Sequence, residues 1–318
     1  MACGTKAIPI WNPQYVEFGR LPKYSATSKY ARSREAVLDR LFVRIRQNTM
    51  KVLVCGDVMQ DEYWRGTVSR VSPEAPVPVI SITDVETRQG GAANIANNIE
   101  AMGVPCERLF GGGLRIRKIR LLSQSQHLLR VDYDYPQKPI ECDQTYVDAL
   151  GRCQSVVFTD YRKGSLENIQ ALITQARLMD RFVFIDPKGF DYAKYRGATL
   201  IKPNKDEMKE LVGGWANQDE LDFKARQFLR ASGIESILLT QASEGMTLYT
   251  KDSTNHYASE AKEVVDVSGA GETALSAFVA AFAKGHTFAE CAKYAVKASA
   301  VAVTFFGTTI VEEKDVFG

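Results

Sequence analysis

Apolar and polar positions along the chain switch between two periods, and the switches outline its elements. Val37, Leu38, Leu41, Phe42 and Ile45 recur at helical spacing among basic residues, which predicts a helix within residues 33–47. Lys51-Val52-Leu53-Val54-Cys55-Gly56-Asp57 follows as an apolar run ending in Gly-Asp, the pattern of a first strand buried on both faces of an α/β sheet. From Gly66 to Ile82 the spacing of Pro73, Pro76 and Pro78 forbids a central strand and predicts edge strands of a small sheet off the main body. Gly90-Gly91 opens a small-residue helix running to Met102, and a stretch carrying Lys118, Arg120 and Arg130 alternates as far as Asp132. A strand-like run over 263–267 ends at Gly269-Ala270-Gly271, and a long alanine-rich helix follows from Thr273. Residues 1 to about 35 show neither period. Pro9, Pro13 and Pro22 and the aromatics Trp11, Tyr15, Phe18, Tyr24 and Tyr30 make that segment either a loose tail or an arm that docks on another chain. The pattern divides the chain into an N-terminal extension over residues 1–49 and a domain over 50–318.

Composition narrows the class. With 318 residues, 45% apolar and 25% charged, the chain can build one large globular domain with a small appendage. A net charge of +2 gives no reason to expect a nucleic-acid partner. Six cysteines without a Cys-x-x-Cys pair, and only three histidines, argue against a zinc site and a disulfide framework. The longest apolar stretches, 274–283 and 294–306, are interrupted by Lys284 and Lys297, so no membrane span is expected. No basic-then-apolar leader begins the sequence, and a cytoplasmic location is expected.

The candidate chemistry centres on Gly269-Ala270-Gly271-Glu272. A glycine turn at a helix start points backbone N–H groups at one spot, where they and the helix dipole favour a phosphate. Glu272, on the first turn, would face that phosphate as a base for a hydroxyl proton; the plain alternative is a turn that only caps a packed helix. Asp57 and Asp61 follow the first strand, where they can hold sugar hydroxyls or merely make turns. Gly90 and Gly91 allow close approach of a ligand, with Asn94 offering donor and acceptor. Asn204 and Glu207, three apart at a helix start, can orient magnesium through its waters or serve only as helix-terminal groups. Lys163 and Lys188 can neutralise sugar-phosphate charge; Arg130, with Lys118 and Arg120, can do the same or be solvated surface.

Several ordered runs resemble the ribokinase-type (PfkB) sugar kinases, and within them the D-glycero-D-manno-heptose 7-phosphate kinases. They are Gly56-Asp57-Val58-Met59 with Asp61, residues 69–79, Gly90-Gly91-Ala92-Ala93-Asn94 and residues 126–132. They continue through Thr159-Asp160-Tyr161-Arg162-Lys163-Gly164, Asp186-Pro187-Lys188-Gly189, Lys202-Pro203-Asn204-Lys205-Asp206-Glu207, residues 244–248 and residues 266–273. The resemblance covers the chain from about residue 50 and implies a ribokinase-like three-layer α/β/α sandwich, its central sheet mostly parallel, with a small β lid that often makes a homodimer contact. It implies ATP and Mg2+ as cofactors and transfer of the γ-phosphate to the anomeric hydroxyl of a heptose 7-phosphate, on the route to ADP-heptose and lipopolysaccharide. Glu272 would be the base, Gly269, Ala270 and Gly271 the phosphate turn, and Asn204, Glu207, Gly245, Asp266 and Ser268 the ATP side. Members with a second activity carry a nucleotidyltransferase domain after the kinase, and the kinase half alone is expected here.

Two features depart from that pattern. The family's base is an aspartate, and the extra methylene of Glu272 moves its carboxylate by about 1–1.5 Å, a displacement that can cost about a hundredfold in rate. After Phe110 the chain passes through Gly111-Gly112-Gly113 directly to Leu114, where the family has a strand–helix–strand unit, so an internal deletion near 110–114 is expected. Two readings follow: a reduced sugar-phosphate kinase, or a catalytically impaired kinase-derived scaffold whose residues 1–49 dock on a protein partner. A kinase of another sugar is the third.

Overall fold

The computed structural model describes residues 50–124, 126–189 and 191–318. The helix expected within 33–47 and the docking arm lie outside the described residues. Val52–Gly56 forms β1, buried along its whole length and flanked by the parallel strands β4 (Cys106–Phe110) and β7 (Ser155–Thr159). From β7 the sheet extends in parallel through β8 (Phe182–Asp186), β9 (Leu200–Ile201) and β10 (Ser236–Thr240). It ends in the antiparallel strands β11 (Met246–Thr250) and β12 (Thr254–Tyr257), giving the order β12-β11-β10-β9-β8-β7-β1-β4. Parallel strands need cover on both faces, which explains their unbroken apolar runs.

One cover layer is α1 (Ala92–Ala101), α6 (Ala270–Ala283) and α7 (Phe288–Ala302), packed over Val52, Val54, Val157 and Phe184. The other contains α2 (Gln144–Arg152), α3 (Ile169–Leu178), α4 (Lys205–Val212) and α5 (Gln218–Ser232), with Leu53, Cys55, Val156 and Phe158 beneath. A short α8 (Glu313–Phe317) closes the chain. Residues 272–283 of α6 are all buried, so its alanines let neighbours approach from every side, while Phe282 sets its ring against Phe182 at 4.7 Å and Phe184 at 5.3 Å.

A second sheet of order β3-β2-β5-β6 stands apart from the first. It contains β2 (Val58–Val71), β3 (Pro78–Gly91), β5 (Ile116–Ser123) and β6 (Gln126–Tyr133). The small sheet is as expected, with one refinement: β2 is central over residues 59–66, where it pairs with both β3 and β5. Pro73 and Pro76 lie in the hairpin tip beyond the reach of β5, and Pro78 opens the edge strand, so no proline interrupts a two-sided ladder. The alternating stretch to Asp132 is two antiparallel strands rather than one.

The strand expected over 263–267 does not form. Val264, Val265 and Val267 are 63%, 60% and 68% exposed, and the backbone N–H groups of Val265 and Asp266 both bond the Val303 carbonyl rather than a neighbouring strand. The last strand ends at Tyr257, and α6 begins at Ala270, three residues earlier than expected. Among the described residues the cysteines are unpaired, and no helix is long and apolar enough to cross a membrane.

Candidate active site

Gly269 caps α6 in the left-handed region, φ 77°, which an L side chain rarely adopts. A Cβ at Gly271 would lie 3.1 Å from Lys202 Nζ, so the bare turn lets a buried lysine come close to the helix start. Lys202 Nζ is 3.0 Å from Asp186 Oδ1, at the carboxyl end of β8. Burial pushes the Asp186 carboxyl above the ordinary aspartate range, and Lys202 opposes that rise. Lysine, free helix N–H groups and the positive end of α6 thus converge, an arrangement suited to a phosphate.

Glu272 sits on the first turn of α6, 7% exposed. Its Oε2 accepts from Asn94 Nδ2 and its Oε1 from the Tyr161 hydroxyl. Burial raises the Glu272 carboxyl to about 7; the Tyr161 and Asn94 hydrogen bonds hold it down, and the charges of Asp186 and Asp61 push it further up. A carboxyl tuned to near neutrality suits a proton acceptor. Lys118 Nζ lies 5.4 Å from the Tyr161 ring centroid, and burial lowers its affinity for its proton.

The opposite wall is the start of α4. Asn204 and Glu207 form a capping box: Asn204 Oδ1 accepts from Glu207 N and Glu207 Oε2 from Asn204 N, both at 2.9 Å. Glu207 Oε1 also accepts from Lys188 Nζ at 2.7 Å. A cleft of ≈ 170 Å³ collects Lys188, Asn204, Glu207, Gly269, Gly271 and Glu272 with Asp160, Tyr161, Asp186, Pro187 and Lys202.

Other expected site residues lie around this cleft. Asp57 is fully buried, and its carboxylate accepts from the backbone N–H groups of Tyr161 (2.9 Å), Lys163 (3.1 Å) and Ser165 (3.1 Å). That geometry is the turn chemistry of the two alternatives for Asp57, and it leaves little for sugar hydroxyls. Asp61 pairs with Arg120 at 2.6 Å, and the bare Gly90 makes room for it, since a Cβ there would meet Asp61 Oδ2 at 2.3 Å. Gly91 caps α1, whose first N–H bonds the Asp57 carbonyl. Asn94 belongs to the site through Glu272. Arg130 grips Asp132 with two hydrogen bonds on an exposed face of β6, and Lys163 pairs with Asp134 at 2.8 Å. Ala270 is the first residue of α6, and Gly245 lies in the tight turn before β11. Asp266 accepts from Ser268 N and Gly307 N, tying down the approach to the turn; burial pushes its carboxyl up, but these hydrogen bonds win and hold it below the ordinary range.

Tyr161, Asp186 and Lys202 were visible in the sequence only as parts of motifs. Their signal is positional: each follows or ends a short buried strand, where a parallel sheet presents its ligand-facing ends.

The fold and the cleft define a sugar-kinase type of α/β protein. Residues 146–315 match the pfkB family carbohydrate kinase model, and the chain belongs to that family. Among its relatives is the D-beta-D-heptose 7-phosphate kinase of Bordetella bronchiseptica, 37% identical over 298 residues, covering 84% of this chain and 95% of that protein. Because those 298 positions take in only 84% of a 318-residue chain, the relative has residues in that span which this chain lacks. The bifunctional protein HldE of Vibrio parahaemolyticus is 38% identical over 299 residues, and the chain spans 62% of its length. Among solved structures, Arabidopsis thaliana ribokinase complexed with ribose and ATP superposes with a TM-score of 0.70 at 17% identity, covering 85% of this chain and 98% of that one. Phosphofructokinase-2 from Escherichia coli in complex with potassium gives 0.67 at 15% identity, covering 84% and 96%. These two likenesses establish the ribokinase-like fold.

Proposed function

We propose that this chain is an ATP-dependent, cytoplasmic kinase of a sugar phosphate, D-glycero-D-manno-heptose 7-phosphate, acting at the anomeric hydroxyl. The observation that carries the reading is the cleft itself: a glycine turn and helix N-terminus, two lysines and a near-neutral carboxyl line one small space. The names of the Bordetella and Vibrio relatives support the substrate. The transferring phosphoryl group rests on the Gly269-Ala270-Gly271 turn, with Lys202 and Lys188 offsetting its charge. The acceptor oxygen bonds to the γ-phosphorus as the bond from that phosphorus to the ADP oxygen breaks, and the hydroxyl proton passes to Glu272. The sugar phosphate lies under the inner face of the small sheet, beside Asp61, Arg120 and Lys118. Arg130 and Lys163, already paired, contribute at most at the rim.

Among the described residues no three carboxylate, histidine or cysteine side chains converge to chelate a metal. Asn204 and Glu207 are also engaged with each other. The donor set fits a magnesium ion held chiefly by nucleotide phosphates, with these two residues reaching its waters; the ion would offset charge on the phosphates. Gly245, Asp266 and Ser268 shape the nucleotide side through the backbone. A homodimer through the small sheet is supported by its exposed Val68, Val71, Val77, Ile82 and Val85.

A second reading, a kinase-derived scaffold, is favoured by one observation. Among the described residues no strand pairs with the outer edge of β4, which leads directly into the triple glycine where an internal deletion near 110–114 is expected. The shortfall against the Bordetella relative supports that deletion. In this reading residues 1–49 dock on a partner protein. ATP turnover with heptose 7-phosphate, compared across the chain as it stands, Glu272→Asp and Glu272→Ala, separates the two. Activity lost only in the alanine variant supports the kinase. Silence in all three overturns it, and a large partner that copurifies and is lost on deleting residues 1–49 then supports the scaffold.

A further inference from the structure

Two separate networks, each rooted on a buried side chain, end on the two oxygens of a single carboxylate. The first fixes Tyr161: its N–H, with those of Lys163 and Ser165, is held by the buried Asp57 at the end of β1, and its hydroxyl donates to Glu272 Oε1. The second fixes Asn94. Asn98 Nδ2 donates to the Asn94 carbonyl (3.0 Å), to Asn94 Oδ1 (3.1 Å) and to the Thr309 carbonyl (3.2 Å), while Asn98 Oδ1 accepts from Val311 N at 2.9 Å. Those partners determine which end of each amide is oxygen, so Asn94 Nδ2 is left to face Glu272 Oε2. A carboxylate that only needed its hydrogen bonds satisfied on the wall of an open cleft could take them from water. Here each donor is instead aimed by a second layer of buried groups.

We propose that Tyr161 and Asn94 are positioning residues that hold the long Glu272 side chain, fixing its carboxylate at the mouth of the phosphate turn in the form that accepts the hydroxyl proton. The kinetic part of this proposal rests on the kinase reading; the geometric part does not. The match is to glutamate, because an aspartate at this position would stand a methylene further from the phenol. The other charges acting on Glu272 are Asp61 from β2 and Asp186 from β8, which oppose its ionised form, and Lys118 from β5, which favours it; Lys202, paired with Asp186, lines the same cleft. Both donors favour the ionised form.

Tyr161→Phe removes the donor and keeps the ring under Lys118. The test follows the carboxyl carbon signal of Glu272 against pH in the full-length chain, alongside the pH dependence of kcat. The wild-type midpoint is expected at about 7. In Tyr161→Phe it should rise by about one pH unit, with kcat below neutrality falling about tenfold and KM for ATP unchanged. In a Glu272→Asp background the same change should cost much less, since the shorter side chain does not use the phenol. An unmoved midpoint in an active enzyme overturns the clamp and leaves the kinase reading. A midpoint that moves in a chain without turnover keeps the clamp and overturns the reading. A loss confined to KM contradicts the positioning role.

Discussion

Asp57 and Glu272 are both buried carboxylates at the sheet's ligand-facing end, and they are held in opposite ways. Asp57 is surrounded by three backbone N–H groups of the loop after β7, donors that cannot turn away without unfolding that loop. Glu272 is held by two side-chain donors and faces the cleft with its carboxyl raised to about 7. Backbone donors hold a loop in shape, whereas side-chain donors set the protonation of a group that faces the cleft. On the proposed reading, the difference separates a residue that shapes the site from one that would react in it, although both are acids following a glycine in sequence.

The sharpest way to break the comparison is Glu272→Ala. Loss of a general base is expected to lower kcat by about a thousandfold with the melting temperature little changed, read by turnover beside calorimetry. Asp57→Ala should do the reverse. Three backbone N–H groups would lose their buried acceptor at a cost of about 3 kcal/mol, measured by denaturant unfolding, and activity should fall only as the loop carrying Tyr161 moves.

A pH series sharpens it further. Because the folded-state value for Glu272 is raised above the ordinary 4.5, folding favours its protonated form. Its contribution is therefore fully present below the unfolded value and is lost as pH rises through about 7. Glu272→Gln should flatten stability between those limits, and a slope left unchanged would contradict the assigned burial. The smallest effect is expected from Arg130→Ala, since an exposed pair with Asp132 is worth under about 1 kcal/mol; kcat/KM for the sugar phosphate should change about twofold at most.

Much of this was legible in the sequence. The unbroken apolar run of β1 announced an α/β sheet, and Gly269-Ala270-Gly271 before an alanine-rich run announced the glycine turn that opens α6. Val264, Val265 and Val267 misled because β-branched residues look like a strand whether or not a neighbour exists to pair with them. The small sheet's two-sided β2 was hidden by prolines that belong only to its tip. Tyr161, Asp186 and Lys202 were missed because single strand-end residues have no period; only the sheet order brings them to one cleft. Arg130, read as a ligand cation or as solvated surface, and Lys163, read as a ligand cation, each pair with an acid that the sequence reading did not connect to them, Asp132 and Asp134.

The central claim is that Glu272 is the proton acceptor, and the most direct measurement is kcat for heptose 7-phosphate between about pH 5 and 9, for the chain as it stands and for Glu272→Gln. The account predicts activity that rises with pH through about 7, and a glutamine variant with only a trace of activity and no such limb. A glutamine variant that keeps the same rate and the same rise would contradict it.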